Sequence, residues 1–254
     1  MFDQLKQGGA IVIGGSGGLG AEIVRTFART GSGVAFNFHS RPARAQELTA
    51  ELSRDGARVL SQQADLQDLD SISSLLTKAE TTFGWIHTVV YASGPTIRLS
   101  PIAELPPADW AAAVNADVNG FFNLLHVTMP ALRRSKGSIV ALSTAGTLRF
   151  PPLDVMSAGP KACVDMLVMG VAREEGRHGV RANLIGVGHI EAGQGLTIQD
   201  DPRGKRLAER VLAATPLRRF GTAADIANAA LFLASPMAAY VTGERICVDG
   251  GGHV

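Results

Sequence analysis

The chain lacks an excess of either charge. Its 254 residues include 24 Lys and Arg against 23 Asp and Glu, which gives a formal net charge of +1. Proteins that bind nucleic acid or anionic membranes electrostatically carry a basic patch or stripe. We therefore expect neither nucleic acid nor a membrane as a partner.

Cysteine is scarce, since Cys163 and Cys247 are the two in the chain. They have no metal-binding spacing, and each lies in an apolar segment where we expect it to pack as a small hydrophobic residue. The first residues lack the basic and apolar regions of a signal peptide, and we expect no apolar run to be long enough to span a bilayer. These absences predict a cytoplasmic protein without a metal site.

Short apolar runs are abundant, and hydrophobic residues make up 46% of the chain, enough to fill one large core. The runs alternate with longer segments of helical spacing, such as residues 21–30, 71–84 and 163–179. Buried strands that alternate with helices predict a doubly wound parallel sheet, in one α/β domain over residues 1–254. The runs are AIVIGG, GVAFNF, ARVLSQ, IHTVVYA, GSIVALS, VRANLIG and RICVDG.

A glycine-rich turn, GGSGGLG, follows the first run and precedes a helical segment. Glycine permits positive φ and lets a phosphate approach the backbone N–H groups at a helix N-terminus, where the helix dipole favours an anion. We therefore predict a dinucleotide-binding turn that uses Gly14, Ser16, Gly18, Leu19 and Gly20.

The end of the second predicted strand lacks the acidic residue that an NAD-preferring site uses for the ribose hydroxyls. Phe38, His39, Ser40 and Arg41 stand there instead. They would offer donors and positive charge to a 2′-phosphate, although a solvated basic turn would have the same composition. We expect NADP(H) to be preferred over NAD(H).

With these landmarks in register, the chain resembles the short-chain dehydrogenase/reductase family over essentially its full length. IGGSGGLG matches the family's glycine turn except for Ile13, and Asp65 in ADL matches the acid that contacts the adenine. The most specific match is PLRRFGTAADIANAALFLASPMAAYVTGERICVDGG. The resemblance implies a seven-stranded Rossmann-like sheet, a nicotinamide cofactor, and a homodimer or homotetramer built on the helices after the fourth and fifth strands.

The resemblance also implies cofactor contacts at the ends of later strands. The family's NNAG is YASG here, and at the end of the sixth strand Val187 and Ala192 replace the family's proline and threonine. The nicotinamide pocket can survive these changes because many of its contacts are to the backbone. The implied contact residues are Asp65, Leu66, Ala92, Ser93, Gly94, Lys161, Gly188 and Ile190.

The family's chemistry rests on an asparagine, a serine, a tyrosine and a lysine, the last two spaced YxxxK. Counted onto this sequence, those positions fall on Asp117, Thr144, Ser157 and Lys161. The resemblance implies that these four residues form the catalytic site. The tyrosine that donates the proton is therefore missing.

No other tyrosine fills the gap in the sequence. Tyr91 and Tyr240 lie far from Ser157, and the related enoyl reductases, which place their tyrosine seven residues before the lysine, have it where this chain has Asp154. We expect Tyr91 to pack against the adenosine side of the cofactor or against a neighbouring strand.

Replacing the tyrosine changes the acid chemistry of the site. Hydride delivery to a carbonyl leaves an alkoxide that needs a proton donor, and a serine hydroxyl is a weaker and shorter acid than tyrosine. We therefore expect Ser157 not to replace the tyrosine as donor. Lys161 would hold the cofactor ribose, or donate the proton itself if it is desolvated.

Three further groups are candidate donors. Asp117 and Asp154 could act as general acids in apolar surroundings, although a carboxylate near a helix N-terminus is also a common cap. His189 follows the sixth strand, and histidine is suited to proton transfer near neutral pH. We predict His189 as the donor.

Residues 189–216 are polar at first and then helical, and we expect them to lie over the nicotinamide as a lid. The helical segment after Lys161 predicts self-association, because its apolar surface extends further around the helix than one buried face needs. That surface comprises Val164, Leu167, Val168 and Val171, extended by Met166 and Met169.

Two classes of function fit these patterns. One is an NADP(H)-dependent oxidoreductase that reduces a carbonyl or an activated double bond through an unusual donor. The other is a cofactor-binding protein without the family's catalysis, acting as a binding or partner subunit. The fold alone does not choose between them, but the retained glycine turn, Lys161 and lid segment favour the oxidoreductase.

Overall fold

The seven apolar runs form one parallel sheet in a computed structural model that describes residues 2–197, 200 and 202–254. The strands lie in the order β3-β2-β1-β4-β5-β6-β7. The predicted doubly wound sheet is confirmed. Its strands are β1 Gly9–Ile13, β2 Gly33–Phe38, β3 Val59–Gln63, β4 Ile86–Tyr91, β5 Ser138–Thr144, β6 Arg181–Val187 and β7 Arg245–Val248.

Helices cover both faces of the sheet and bury one apolar cluster on each. Helices α1, α2 and α9 contribute to the first cluster, and α3, α5 and α6 to the second. Helices α4 and α5 are joined by a π-helical turn, Asn115–Asn119. The helices are α1 Gly18–Arg29, α2 Pro42–Arg54, α3 Leu69–Phe83, α4 Pro107–Val114, α5 Gly120–Ser135, α6 Val155–Glu175, α7 Gln194–Thr197, α8 Pro202–Ala214 and α9 Ala223–Ala234.

The winding of the sheet reverses between β1 and β4. Strand β1 pairs with β2 on one side and with β4 on the other, so the loops that follow β1 and β4 diverge there. Ligands of open α/β sheets bind in this crevice, beyond the carboxyl ends of the strands. The glycine turn after β1 and the YASG loop after β4 both lie at this edge.

Helix α6 differs from two expectations drawn from the sequence. Together with the following turn it is long and apolar enough, by length and composition, to cross a membrane. In this fold it packs on the sheet as a core helix, with Val164 and Val168 fully buried. Cys163 is exposed on it rather than packed, because it lies on the side away from the sheet.

An ion pair between Arg245 and Asp165 ties β7 to α6. Both side chains are largely buried, and the guanidinium also donates to Thr147 Oγ1. Because the other carboxylate oxygen of Asp165 has no partner among the described residues, Arg245 is the group that compensates this buried charge.

We predict that Asp165→Ala lowers the free energy of unfolding by about 3 kcal/mol, because it leaves the Arg245 guanidinium uncompensated inside the fold. Denaturant unfolding followed by circular dichroism would measure the loss. The matched control is Asp109→Ala, which breaks an exposed pair with Arg98 and should cost less than about 1 kcal/mol. Equal losses in the two variants would contradict the prediction.

Candidate active site

The turn after β1 is shaped for close approach to a ligand. Gly14 has a φ of +77°, and its N–H donates to Asn37 Oδ1 at 2.7 Å. A Cβ at Gly20 would lie 2.1 Å from the Gly14 carbonyl oxygen, so only glycine fits there. No side chain caps the N-terminus of α1 at Gly17, and its first N–H groups point towards an incoming anion. The turn therefore fits the diphosphate of a dinucleotide.

Asn37 holds this turn in place, a role that the sequence analysis missed. The side chain is buried; its amide oxygen accepts the Gly14 N–H, and its Nδ2 donates to the Ala64 carbonyl at 2.9 Å. One amide thus links the ends of β1, β2 and β3. The available signal was a single polar residue inside the apolar run GVAFNF, because a buried amide needs partners of this kind.

The residues predicted for the adenosine end lie together at the ends of β2 and β3. Phe38 is half-buried, and His39, Ser40 and Arg41 after it are exposed to solvent. The Ala64 N–H donates to the Phe38 carbonyl at 3.1 Å, which brings Asp65 and Leu66 beside them. The Asp65 carboxylate accepts the Gln67 N–H at 2.9 Å, which fixes its orientation.

Lys161 reaches from α6 to the carboxyl edge of the sheet and is largely buried there. Its Nζ donates to the Ser93 carbonyl at 2.8 Å and to Asp117 Oδ1 at 2.9 Å. Gly94 packs against the same amine, since a Cβ there would lie 3.7 Å from Nζ. An ammonium has three N–H donors, so one remains beyond these two contacts. The predicted residues Ser93 and Gly94 thus lie at the lysine, whereas the Ala92 N–H donates to the Ile13 carbonyl at 3.0 Å, beside the glycine turn.

The π-helical turn places a carboxylate beside this lysine. Asp117 is fully buried, whereas Asn115 and Asn119 are exposed and hydrogen-bond each other at 2.7 Å. A π-helical turn departs from regular α-helical spacing and is frequent at functional sites. Asp117 Oδ2 has no partner among the described residues. The structure therefore puts Asp117, and neither neighbouring asparagine, at the family's asparagine position.

Tyr91 contacts Asp117 and Phe121; the sequence suggested that it packs against the adenosine side of the cofactor or against a neighbouring strand. Its hydroxyl donates to Asp117 Oδ1 at 2.6 Å, and its ring packs on Phe121 and lies 4.6 Å from Lys161 Nζ. Burial and the neighbouring carboxylate raise the pKa of Tyr91 well above its ordinary value. The phenol therefore stays neutral and acts as a hydrogen-bond donor inside the protein.

Thr144 and Ser157 lie at the end of β5 and in the first turn of α6. Thr144 ends β5, and its Oγ1 accepts the Gly146 N–H at 3.1 Å. Ser143, next to it, is buried with a hydroxyl that has no partner in the described part of the chain. Ser157 lies in the first turn of α6, one helical turn before Lys161, so the two side chains share one helix face.

Asp154 immediately precedes α6 without capping it. Its side chain accepts no N–H from the first turn of the helix, whereas its carbonyl oxygen accepts those of Ser157 and Ala158. Burial raises the pKa of Asp154 to about 7, and an interaction with the Ser157 side chain partly offsets that rise. Of the two roles that the sequence left open, the structure therefore argues against the cap.

His189 follows β6 and packs its ring on Phe220, with the ring centroids 4.4 Å apart. Burial lowers the pKa of His189, so the imidazole is neutral near pH 7. A neutral imidazole is a poor acid, and the structure gives His189 less support as a donor than its place in the sequence did. Gly188 and Ile190 beside it lie against Asp249 and Gly221, at the same edge of the sheet.

The segment after β6 closes over this edge. Gln194 accepts the Ile97 N–H at 2.8 Å and donates to the Pro95 carbonyl at 2.9 Å, which fastens α7 to the loop after β4. A Cβ at Gly18 would lie 2.4 Å from the Gly193 nitrogen. Residues 198, 199 and 201 of the predicted lid, 189–216, lie outside the described residues.

Comparison with known proteins shows which family this chain matches. The family described as enoyl-(acyl carrier protein) reductase matches residues 14–253. A 3-oxoacyl-(acyl carrier protein) reductase of Staphylococcus aureus is 30% identical over 95% of this chain and 96% of its own length. An acetoacetyl-CoA reductase of Synechocystis is 33% identical over 96% of this chain and 95% of its own.

A solved structure agrees with the sequence relatives. The crystal structure of a blue fluorescent protein from a metagenomic library, in complex with NADPH, superposes with a TM-score of 0.88. It is 28% identical and covers 99% of this chain and 100% of its own. The fold, the glycine turn and these matches over almost the whole chain lead to one conclusion. The chain belongs to the short-chain dehydrogenase/reductase family of NAD(P)-dependent oxidoreductases.

Proposed function

We propose that the chain is an NADP(H)-dependent oxidoreductase that reduces the carbonyl group or an activated double bond of a small molecule, with a proton donor other than tyrosine. The observation that carries this proposal is the Lys161 ammonium, held at the carboxyl edge of the sheet by Ser93 and Asp117 with one donor left. Similarity to reductases of acyl thioesters supports the same reaction class.

The residues at the edge of the sheet fit the parts of a dinucleotide in order. A bound nicotinamide would supply the hydride. Asp65 would contact the adenine, the N–H groups at the start of α1 would bind the diphosphate, and Lys161 would donate to a ribose hydroxyl. Thr144, at the end of β5, would donate a hydrogen bond to the substrate oxygen, where charge develops.

Ser157 does not supply the acid in this proposal. Its hydroxyl is a weak acid, and its side chain already interacts with Asp154. The proton must therefore come from a different group, which distinguishes this chain from members that use the YxxxK tyrosine.

A screen of NADPH oxidation against aldehydes, ketones and enoyl thioesters tests the proposal, and turnover of at least one class is the expected result. Bound NADPH with no turnover of any compound, together with carbonyl reductase activity created by Ser157→Tyr, would instead favour the alternative of a cofactor-binding partner subunit.

We predict that NADPH binds about tenfold or more tightly than NADH, because one charge-assisted contact to the 2′-phosphate is worth about 1.5–3 kcal/mol. The exposed His39, Ser40 and Arg41 supply the donors. Isothermal calorimetry with both cofactors would measure the ratio, and Phe38→Asp should shift it towards NADH. Equal affinities in the unaltered protein would refute the preference.

We predict that Lys161→Met weakens NADPH binding by about tenfold or more, because the ribose loses a charged donor. Adding Asp117→Asn to this variant removes the carboxylate that would otherwise be left buried without a partner. The double variant should regain stability without regaining affinity, whereas Lys78→Met on the exposed face of α3 should bind normally. Normal affinity in the double variant would rule out the ribose contact.

We also propose that a second copy of the chain covers the outer surfaces of α5 and α6, giving a homodimer or homotetramer, and that the protein is cytoplasmic. Val164 and Val168 face the sheet, whereas Phe122, Met166 and Met169 remain exposed apolar side chains on these two helices. Large exposed apolar patches commonly mark protein interfaces.

Light scattering at micromolar concentration should therefore report a dimer or tetramer. Met166→Glu combined with Met169→Glu should shift the assembly towards the monomer, because two carboxylates would be placed in an apolar interface. Met237→Glu, at an equally exposed methionine after α9, is the control and should leave the assembly intact. If the unaltered protein is a monomer, the proposed oligomer is wrong.

A further inference from the structure

The turn between β5 and α6 holds a carboxyl group that the fold does not use. Asp154 caps no helix with its side chain, and none of the ion pairs among the described residues includes it. Its backbone makes the structural contacts instead, through the N–H groups of Ser157 and Ala158 and a bridge to Ser100. Apart from its interaction with Ser157, the side chain makes no structural contact among the described residues that would exclude a chemical role.

Asp154 lies beside the carboxyl edge of the sheet, where the proposed function puts the substrate. The Ser100 N–H donates to the Leu153 carbonyl at 3.0 Å, and this contact joins the turn before α6 to the loop after β4. Leu153 has a φ of +73°, a conformation that leucine rarely adopts and that reverses the chain just before Asp154. The half-buried carboxyl group thus stands between two loops at the carboxyl ends of β4 and β5.

Asp154 stands directly before α6, three residues before Ser157 and seven before Lys161. Ser157 and Lys161 share one face of the helix, and Lys161 reaches from that face to Ser93 in the loop after β4. The interaction of Asp154 with the Ser157 side chain places its carboxyl group beside this face, at the N-terminal end of the helix.

The surroundings of Asp154 keep its proton available. Burial raises its pKa to about 7. Among the described side chains, only Ser157 also acts on this pKa, and it lowers it. No charged group on α6, on the turn after β5 or on the loop after β4 contributes among the described residues. Lys161, the nearest ammonium along that face, is paired with Asp117. An acid that titrates near the working pH is suited to general acid catalysis.

We propose that Asp154 is the proton donor of this enzyme, an inference that rests on the reductase function proposed above. For a carbonyl substrate, the hydride forms the new C–H bond while the electron pair of the C=O π bond moves to oxygen. The Asp154 carboxyl group gives its proton to that oxygen and is left as a carboxylate, which takes a proton from water. The carbonyl is reduced to an alcohol and the nicotinamide is oxidised.

The first test replaces the acid with an amide of the same shape. Asp154→Asn should lower turnover by about 10²-fold or more, the loss typical of a missing general acid, while the affinity for NADPH in a fluorescence titration stays unchanged. Asp68→Asn is the matched control, because Asp68 is an exposed aspartate at the N-terminus of α3. It should leave turnover and affinity as they were.

The second test uses the pH profile. Since the donor must be protonated, reduction should be fast below the pKa of Asp154 and decline as the pH rises through about 7. Ser157→Ala removes the interaction that lowers this pKa, so the decline should move to higher pH. The same variant should lose less than about 10²-fold in turnover, because Ser157 is not the acid.

The outcomes separate this inference from the function on which it rests. If the unaltered protein reduces no compound in the screen, the reductase function fails and the inference fails with it. If it does reduce a substrate but Asp154→Asn keeps its rate within about threefold and its pH profile, only the inference is overturned. If circular dichroism shows that Asp154→Asn is unfolded, Ser157→Ala decides: a decline moved to higher pH supports Asp154, and an unmoved one overturns it.

Discussion

The arrangement of the site depends on the buried ion pair between Lys161 and Asp117. It joins α6 to the π-helical turn before α5, and the same amine joins both to the loop after β4 through the Ser93 carbonyl. Removing one partner from such a pair would leave an uncompensated charge in the interior, at a cost of about 3–5 kcal/mol. Tyr91 adds a hydrogen bond to the carboxylate from beneath. Three separate segments are therefore held in one geometry at the mouth of the crevice.

The same pair changes the electrostatics of the site. Where the family has a neutral asparagine beside its lysine, this chain has a carboxylate, so the charge of Lys161 is compensated inside the protein. The paired lysine is then a weak source of positive potential for a neighbouring acid. The role proposed for Asp154 is consistent with this, because a half-buried carboxyl group with a pKa raised to about 7 keeps its proton near neutral pH without a cationic partner.

Helix α6 holds the sheet and the site together through two different ion pairs. Lys161 and Asp165 lie four residues apart, a spacing at which lysine and aspartate commonly pair with each other on a helix. Here they do not: Lys161 pairs with Asp117 before α5, and Asp165 pairs with Arg245 on β7. Each charge binds a distant segment, which fixes the position of the helix relative to both the crevice and the last strand.

The sequence alone was sufficient for the parallel sheet and the glycine turn, because strand and helix periodicity and glycine spacing are local properties of the chain. The register of Asp117, Thr144, Ser157 and Lys161 came instead from the resemblance to the family, and their catalytic roles stay predictions. The sequence could not show what Tyr91 contacts, since its partner Asp117 is distant along the chain, nor that His189 packs on Phe220. It left open whether Asp154 is a helix cap or an acid. Only the folded chain argues against the cap and raises the pKa of the carboxyl group, because protonation depends on the neighbours that tertiary packing brings to a group and on the water that packing removes.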